Sequence, residues 1–263
     1  MQKEVIQATL ADEFDLDVTF RESTTICVER LAGSGAAFEL IGTDPNPFFA
    51  TVGLRLDPAP PGAGVDVRLE VELGSMPHAF FRAVQETAHE TLREGLYGWA
   101  VPDCTVTVTH SGYWARQSHS HATFDKSMSS TAGDFRNLTP LVVVAALRRA
   151  GTRVHEPLHR FRLEAPADAL GPLSAALGRL RGTPGPPSVR GSVCVIEGEI
   201  PAARVYELQL DVPGLTRGEG VLETAFERYA PVPGRTVPTR PRSEPDPLDR
   251  REYVLQVTRR VAV

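Results

Sequence analysis

Val65, Val67, Leu69, Val71 and Leu73 fall at every second position, with Asp66, Arg68, Glu70 and Glu72 between them. A period of two puts the apolar set on one face of a strand and the charged set on the other, so this stretch reads as a half-buried antiparallel strand. A helix would scatter the same residues around its circumference. The chain therefore needs a sheet with one covered face, and the covering layer follows at once. After Gly74-Ser75-Met76-Pro77, Phe81, Val84, Ala88 and Leu92 line one side of a helix over roughly 78–94, which Gly95 stops.

The same alternation of strands and helices runs along the chain. Residues 4–10 predict a helix feeding a strand with Leu16, Val18 and Phe20 on one face, and 22–30 a connecting strand. Residues 35–54 give a strand, a Pro-rich turn (GTDPNP) and a second strand. Thr105 to Thr109 alternate again, and the pattern breaks at Gly112. Thr139-Pro140 reads as an N-cap and a first-turn proline opening a helix over Leu141–Ala150, ended by Gly151. The order over roughly 30–153 is βββαβα. From 156 a strand (HRFRLEA) leads to a helix capped by Asp168, with Leu170, Leu173, Leu177 and Leu180 at helical spacing. A strand over 189–200, a helix from Pro201 through Leu210 and a strand at VLETAFERY complete two βαβ-type halves, a ferredoxin-like sandwich. The tail PVPGRTVPTRPRSEPDP leads to a short helix that Asp246-Pro247 would cap and Leu248, Val254, Leu255 and Val261 would dock.

Charge is divided unevenly. Residues 1–105 carry 7 Lys/Arg against 17 Asp/Glu, and residues 106–263 carry 21 against 16. The change of sign coincides with a stretch from Cys104 to Phe124 that has no carboxylate and contains Tyr113, Trp114, Ala115, Arg116, Gln117, His119 and His121. Aromatic rings and cations without acids suit base stacking and phosphate contact; an ordinary polar loop after a strand has the same composition. Two turns, with Asn46 and Pro47 in one and Ser75 and Met76 in the other, are candidate flanks; each also reads as a plain connection. Arg235, Arg240, Arg242, Arg250, Arg251, Arg259 and Arg260 form either a basic surface for RNA or a solvated tail. Asp134 reads as a partner for a backbone turn and Arg136 as a donor to a carbonyl.

A length of 263 residues suits about two domains. No run of about 18 apolar residues predicts a membrane span, and the start lacks a signal-peptide pattern, so a cytoplasmic location is expected. Cys27, Cys104 and Cys194 are odd in number and far apart, which predicts small buried hydrophobes. No Cys or acid completes a metal set around His110, His119 and His121, and His78, His89, His155 and His159 read as helix-surface or strand-edge residues. No GxxxxGK[ST] loop and no catalytic set occurs.

The segments DPNPFFATVGL, GLYGWAVPDC, TAGDFRNLTPLVVVAALRRAGT, EPLHRFRLEAP, IEGEIPA and TRGEGVLETAFERY occur in this order. With them the chain resembles, over essentially its whole length, the C-terminal part of the tetracycline-resistance ribosomal-protection proteins, relatives of elongation factor G. It is most similar to the oxytetracycline-resistance type of actinobacteria. The resemblance implies a multidomain α+β chain. Residues 1–29 would be the end of a ferredoxin-like third domain, 30–155 a fourth domain like domain 2 of ribosomal protein S5, and 156–235 a ferredoxin-like fifth. The tail and helix of 236–263 would brace the fourth.

It further implies a function in protein biosynthesis and antibiotic resistance. The fourth domain would enter the decoding centre of the small subunit, and Tyr113, Trp114, Ala115, Arg116 and Gln117 would reach the tetracycline site on 16S rRNA. The partner would be the ribosome, with no membrane and no DNA, and the chain a monomer. GTP and Mg belong to the family's GTPase domain, so no cofactor is expected in these residues. SHSHATFDKSMSSTAG departs from the family by lengthening the path from the tip to the DFR segment. Two other readings stay open: the arm of a translocase-like paralogue, and a stand-alone RNA-binding or small-ligand module.

Overall fold

The computed structural model describes residues 2–19, 24–115, 129–234 and 236–259. In chain order the elements are α1 (Gln2–Phe14), β1 (Val28–Leu31), β2 (Gly35–Glu39), β3 (Ala50–Pro58), β4 (Val65–Leu69), α2 (His78–Thr91), β5 (Cys104–Tyr113) and α3 (Ala132–Ala150). Then come β6 (Thr152–Pro166), α4 (Leu170–Arg179), β7 (Thr183–Pro184), β8 (Ser188–Arg190), β9 (Val193–Pro201), α5 (Ala202–Leu215), β10 (Val221–Pro231) and α6 (Arg250–Arg259).

One sheet has the order β2-β3-β5-β4. Its apolar face, with Leu54, Leu56 and Val106, packs on α2 and α3 through Phe81, Val84, Phe135, Leu138 and Leu147. Each such fully buried side chain contributes about 1.5–3 kcal/mol relative to exposure. The strand expected over Val65–Leu73 is shorter and is not antiparallel: β4 stops at Leu69 and lies parallel to β5. The alternation correctly signals half burial, but α2 returns the chain over the sheet, and a strand–helix–strand crossover joins parallel neighbours. Leu73–Ser75 form a 3-10 turn, and the strand carrying Tyr113 continues through Gly112.

The second sheet places β10, β6 and β9 side by side, with β7 and β8 both on the far edge of β9. In sequence order this is the fourth, first, third and broken second strand of a ferredoxin-like unit. Phe161, Leu163, Ile196 and Ile200 meet Leu173, Leu177 and Leu208 of α4 and α5. β6 begins at Thr152 rather than 156 and is one 15-residue strand. Its first four residues pair with β1, so the segment that leads into the first sheet belongs to the second.

Several local expectations are corrected. α3 starts at Ala132, well before the expected Leu141: Thr131 is the N-cap, in a capping box with Asp134. Thr139 and Pro140 lie inside the helix, where Thr139 Oγ1 donates to the Phe135 carbonyl. Asp168 caps nothing and pairs with Arg217. No strand forms over the described part of 15–20, and α1 leaves Val5, Ile6 and Phe14 exposed. α6 is capped by Asp249, whose carboxylate accepts the Glu252 N–H. Asp246 instead accepts from Leu248 N–H and Arg242.

α6 returns to the first unit, chiefly through residues other than the expected Leu248, Val254, Leu255 and Val261. Tyr253 and Val257 are buried in the core of α2 and α3, Val254 packs beside them, and Leu255 is exposed. Val261 lies outside the described residues. Tyr253 Oη donates to the Asn137 carbonyl at 2.9 Å. Tyr253→Phe is expected to lower unfolding free energy by about 1 kcal/mol in denaturant titration, with the helix still docked. The three cysteines are buried and free; burial pushes the Cys104 thiol up to about 12 and raises that of Cys27, so neither is a reactive thiolate.

Candidate nucleic-acid interface

The chain on either side of residues 116–128, a segment that runs past the acid-free stretch and includes Asp125, is fastened at one point. The Trp114 N–H donates to Ser130 Oγ at 2.8 Å, and the Ser130 N–H donates to the Trp114 carbonyl at 3.1 Å. Ser130 Oγ also donates to the Phe49 carbonyl. The Phe49 N–H donates to Asp134 Oδ1 at 3.2 Å, while Asp134 Oδ2 accepts from the Thr131 N–H and Oγ1. The end of β5, the turn before β3 and the start of α3 thus meet in one hydrogen-bonded node. Asp134 has the turn-bracing role expected of it. Arg136 meets no carbonyl among the described residues; its guanidinium lies 3.7 Å from the Glu86 carboxylate.

Tyr113 and Trp114 lie outside the core, each 37% exposed, and each rests on a ring beneath it. The Trp114 ring tilts against Phe49 with centroids 5.1 Å apart. Tyr113 meets Phe80 edge-on at 5.8 Å, and Phe80 stacks on the buried Phe135 at 4.6 Å. The rings are held from below and open to water above, an arrangement that preorganises an aromatic face for stacking. Ala115 is exposed at the mouth of the loop. Arg116, Gln117, His119 and His121 lie outside the described residues, so the aromatic pair marks where the loop departs.

The two flanking turns are each held by bonds within the fold. Asn46 organises its own turn: Nδ2 donates to the Leu40 and Ala50 carbonyls, and Oδ1 accepts from the Phe48 N–H. Pro47 is exposed. Ser75 Oγ pairs with Ser111 Oγ at 2.7 Å, fastening the second turn to β5. Met76 is 4% exposed and belongs to the core, which removes it from any contact surface.

The tail arginines do not act as one patch. Arg242, a half-buried residue whose side chain is 7% exposed, donates to the Glu94 and Gly95 carbonyls and pairs with Asp246. Arg250 holds Glu39 through both terminal nitrogens and the Pro45 carbonyl through one. These two strap the tail to the first unit. Arg251 and Arg259 are exposed; Arg235 and Arg260 lie outside the described residues.

Sequence reading missed the group that joins the two sheets. Glu29 is fully buried and accepts N–H bonds from Leu96, Tyr97 and Trp99 and the Thr152 hydroxyl. Trp99, 7% exposed, packs with Cys27 and Val154 and donates Nε1–H to the Pro238 carbonyl. An acid in the short β1 segment, next to the buried Val28, was the only available signal.

Residues 18–151 match the model of elongation factor G, domain IV, and residues 153–240 that of the elongation factor G C-terminus. The oxytetracycline resistance protein of Streptomyces rimosus is 43% identical over 99% of this chain and 38% of its own length. The tetracycline resistance protein TetM of Streptomyces lividans is 44% identical over 84% of this chain and 33% of its own. TetO of Campylobacter jejuni is 33% identical over 94% and 37%. The chain thus spans less than two-fifths of these relatives. A crystal structure of a Thermus thermophilus protein superposes with a TM-score of 0.66 at 21% identity, covering 97% of this chain and 35% of that one, which supports the same fold. Two consecutive family matches over the two sheets described above establish that the chain belongs to the elongation factor G family, carrying its domain IV followed by its C-terminal region.

Proposed function

We propose that these residues are the C-terminal arm of a ribosomal-protection factor, which binds the ribosome, presents the Trp114 end of domain IV to 16S rRNA at the decoding centre and releases tetracycline. The carrying observation is the half-exposed Tyr113–Trp114 face, which lies in the acid-free stretch and is fixed by Phe49, Phe80 and Ser130. Stacking one ring on a base contributes about 1–3 kcal/mol, enough to compete for a base face. The absence of carboxylates from Cys104 to Phe124 avoids repulsion by phosphate. The relatives named for tetracycline and oxytetracycline resistance support the drug as the displaced ligand. In this reading the arm itself handles no nucleotide, and GTP and Mg are used by a separate domain of the whole factor. The arm acts as a monomer.

In the full-length factor, Trp114→Ala is expected to reduce tetracycline release from ribosomes about tenfold or more. GTP turnover is expected to stay at the parent rate. Release that persists at the parent rate rules out the tip assignment. A translocase-like arm predicts instead the same rRNA footprint with and without tetracycline.

A further inference from the structure

β6 runs past the two helices that cover its far half; at its start Arg153 is exposed and Arg30 half-buried, ahead of the buried residues 154–157. Arg30 of β1 lies directly opposite Arg153 of β6. Cross-strand like charges are unfavourable, and neither guanidinium meets a carboxylate among the described residues, although most arginines there do. His155, two residues along β6, is buried, and burial lowers its pKa, so the imidazole adds little charge of its own. On the same face, opposite residues of β6 and β10 bring His159, Phe226 and Tyr229 together. Phe226 is 54% exposed, edge-on to His159 at 6.4 Å and tilted to Tyr229 at 5.3 Å.

Two further observations mark this strip as incomplete. Arg30 Nε and His159 Nδ1 are the buried side-chain nitrogens left without a partner among the described residues, and both belong to it. Such orphans are rare enough to call for an explanation. The acids adjoining in sequence are already engaged: Glu156, next to His155 on β6, pairs with Arg181, and Glu29, next to Arg30, has four donors. An anion would therefore meet two cations and no free carboxylate, with an exposed ring about 20 Å along the strand.

We propose that Arg30 and Arg153 bind consecutive phosphates of an RNA strand whose bases reach Phe226, giving the arm a second RNA contact at the junction of its two sheets. The choice of RNA over other polyanions rests on the ribosomal reading above. Arginine pairs suit phosphate oxygens, and an exposed ring about 20 Å further along suits an unstacked base a few nucleotides on.

The test is fluorescence anisotropy of labelled single-stranded rU20 with this 263-residue chain between about 50 and 200 mM salt. Arg30→Gln/Arg153→Gln is expected to weaken binding about tenfold and reduce the salt slope by about 1.4, the share of two single-strand phosphates. Phe226→Ala is expected to weaken binding about fivefold or more at unchanged slope. The double variant should melt at or above the parent temperature, because it relieves repulsion. If it melts lower, Arg30→Lys/Arg153→Lys must restore the slope, and failure to restore it overturns the site. An unchanged slope in the Gln variant also overturns it, as does saturable binding of inorganic phosphate with rU20 binding unaffected. Trp114→Ala should leave this slope alone, so loss of the tip assignment and loss of this site are separately visible.

Discussion

Glu29→Ala is expected to destabilise the chain by about 4 kcal/mol. The carboxylate is fully buried and accepts three N–H bonds from residues 96–99 together with the Thr152 hydroxyl. Hydrogen bonds to a charged group contribute about 1.5–3 kcal/mol each, and truncation leaves four donors buried without an acceptor. Glu29→Gln keeps the volume and one acceptor oxygen, so about half that loss is expected. Denaturant unfolding, followed by the emission of Trp99 and by far-ultraviolet dichroism, gives both numbers. A loss below about 1 kcal/mol for the alanine variant would show that the 95–99 loop is held by packing alone. Gly95 reinforces the argument, because a β-carbon there would lie 2.5 Å from the Glu29 carboxyl carbon.

Gly98→Ala is expected to act on the same loop from its other side, by about 3 kcal/mol or by peeling the tail away. Gly98 has φ +82, and a β-carbon would sit 1.9 Å from the Arg240 carbonyl oxygen. The left-handed conformation alone costs a side chain about 1–2 kcal/mol, and the collision is with backbone, which has no rotamer to yield. Arg240 N–H donates to the Tyr97 carbonyl, and the Trp99 ring nitrogen reaches the Pro238 carbonyl, so displacement of residue 240 breaks both. Limited proteolysis should cut the variant within 236–249 while the parent resists. Equal resistance and equal stability of the two proteins would contradict this account.

Much of the fold was written in local patterns. Period-two runs at 65–69 and 105–109 and helical spacing over 78–91 and 170–180 recorded which faces are buried. What they could not record was direction and partner. β4 alternates identically whether its neighbour runs parallel or antiparallel; the α2 crossover decides that. Thr139-Pro140 looked like a helix start because proline favours first turns, yet the Thr131–Asp134 capping box had already opened the helix, and Phe135, Leu138 and Val142 carry its buried stripe through the proline. At the candidate interface, the acid-free stretch and its rings were visible in composition. That Trp114 would be clasped by Ser130, or that Met76 would turn inward, depends on contacts across sixteen and more residues. Arg30 and Arg153 are over a hundred positions apart, and no local pattern could bring them face to face.

β6 has a mechanical consequence. The domain IV match ends at Gly151 and the strand that anchors the second sheet begins at the next residue, while the same strand's opening residues are bonded to β1, the segment entering the first sheet. The joint has almost no slack for bending, and the Glu29 latch and the Arg242 strap stiffen it further. A load applied at the loop end is carried to the far sheet as torque on a stiff lever, and little is dissipated in swivelling.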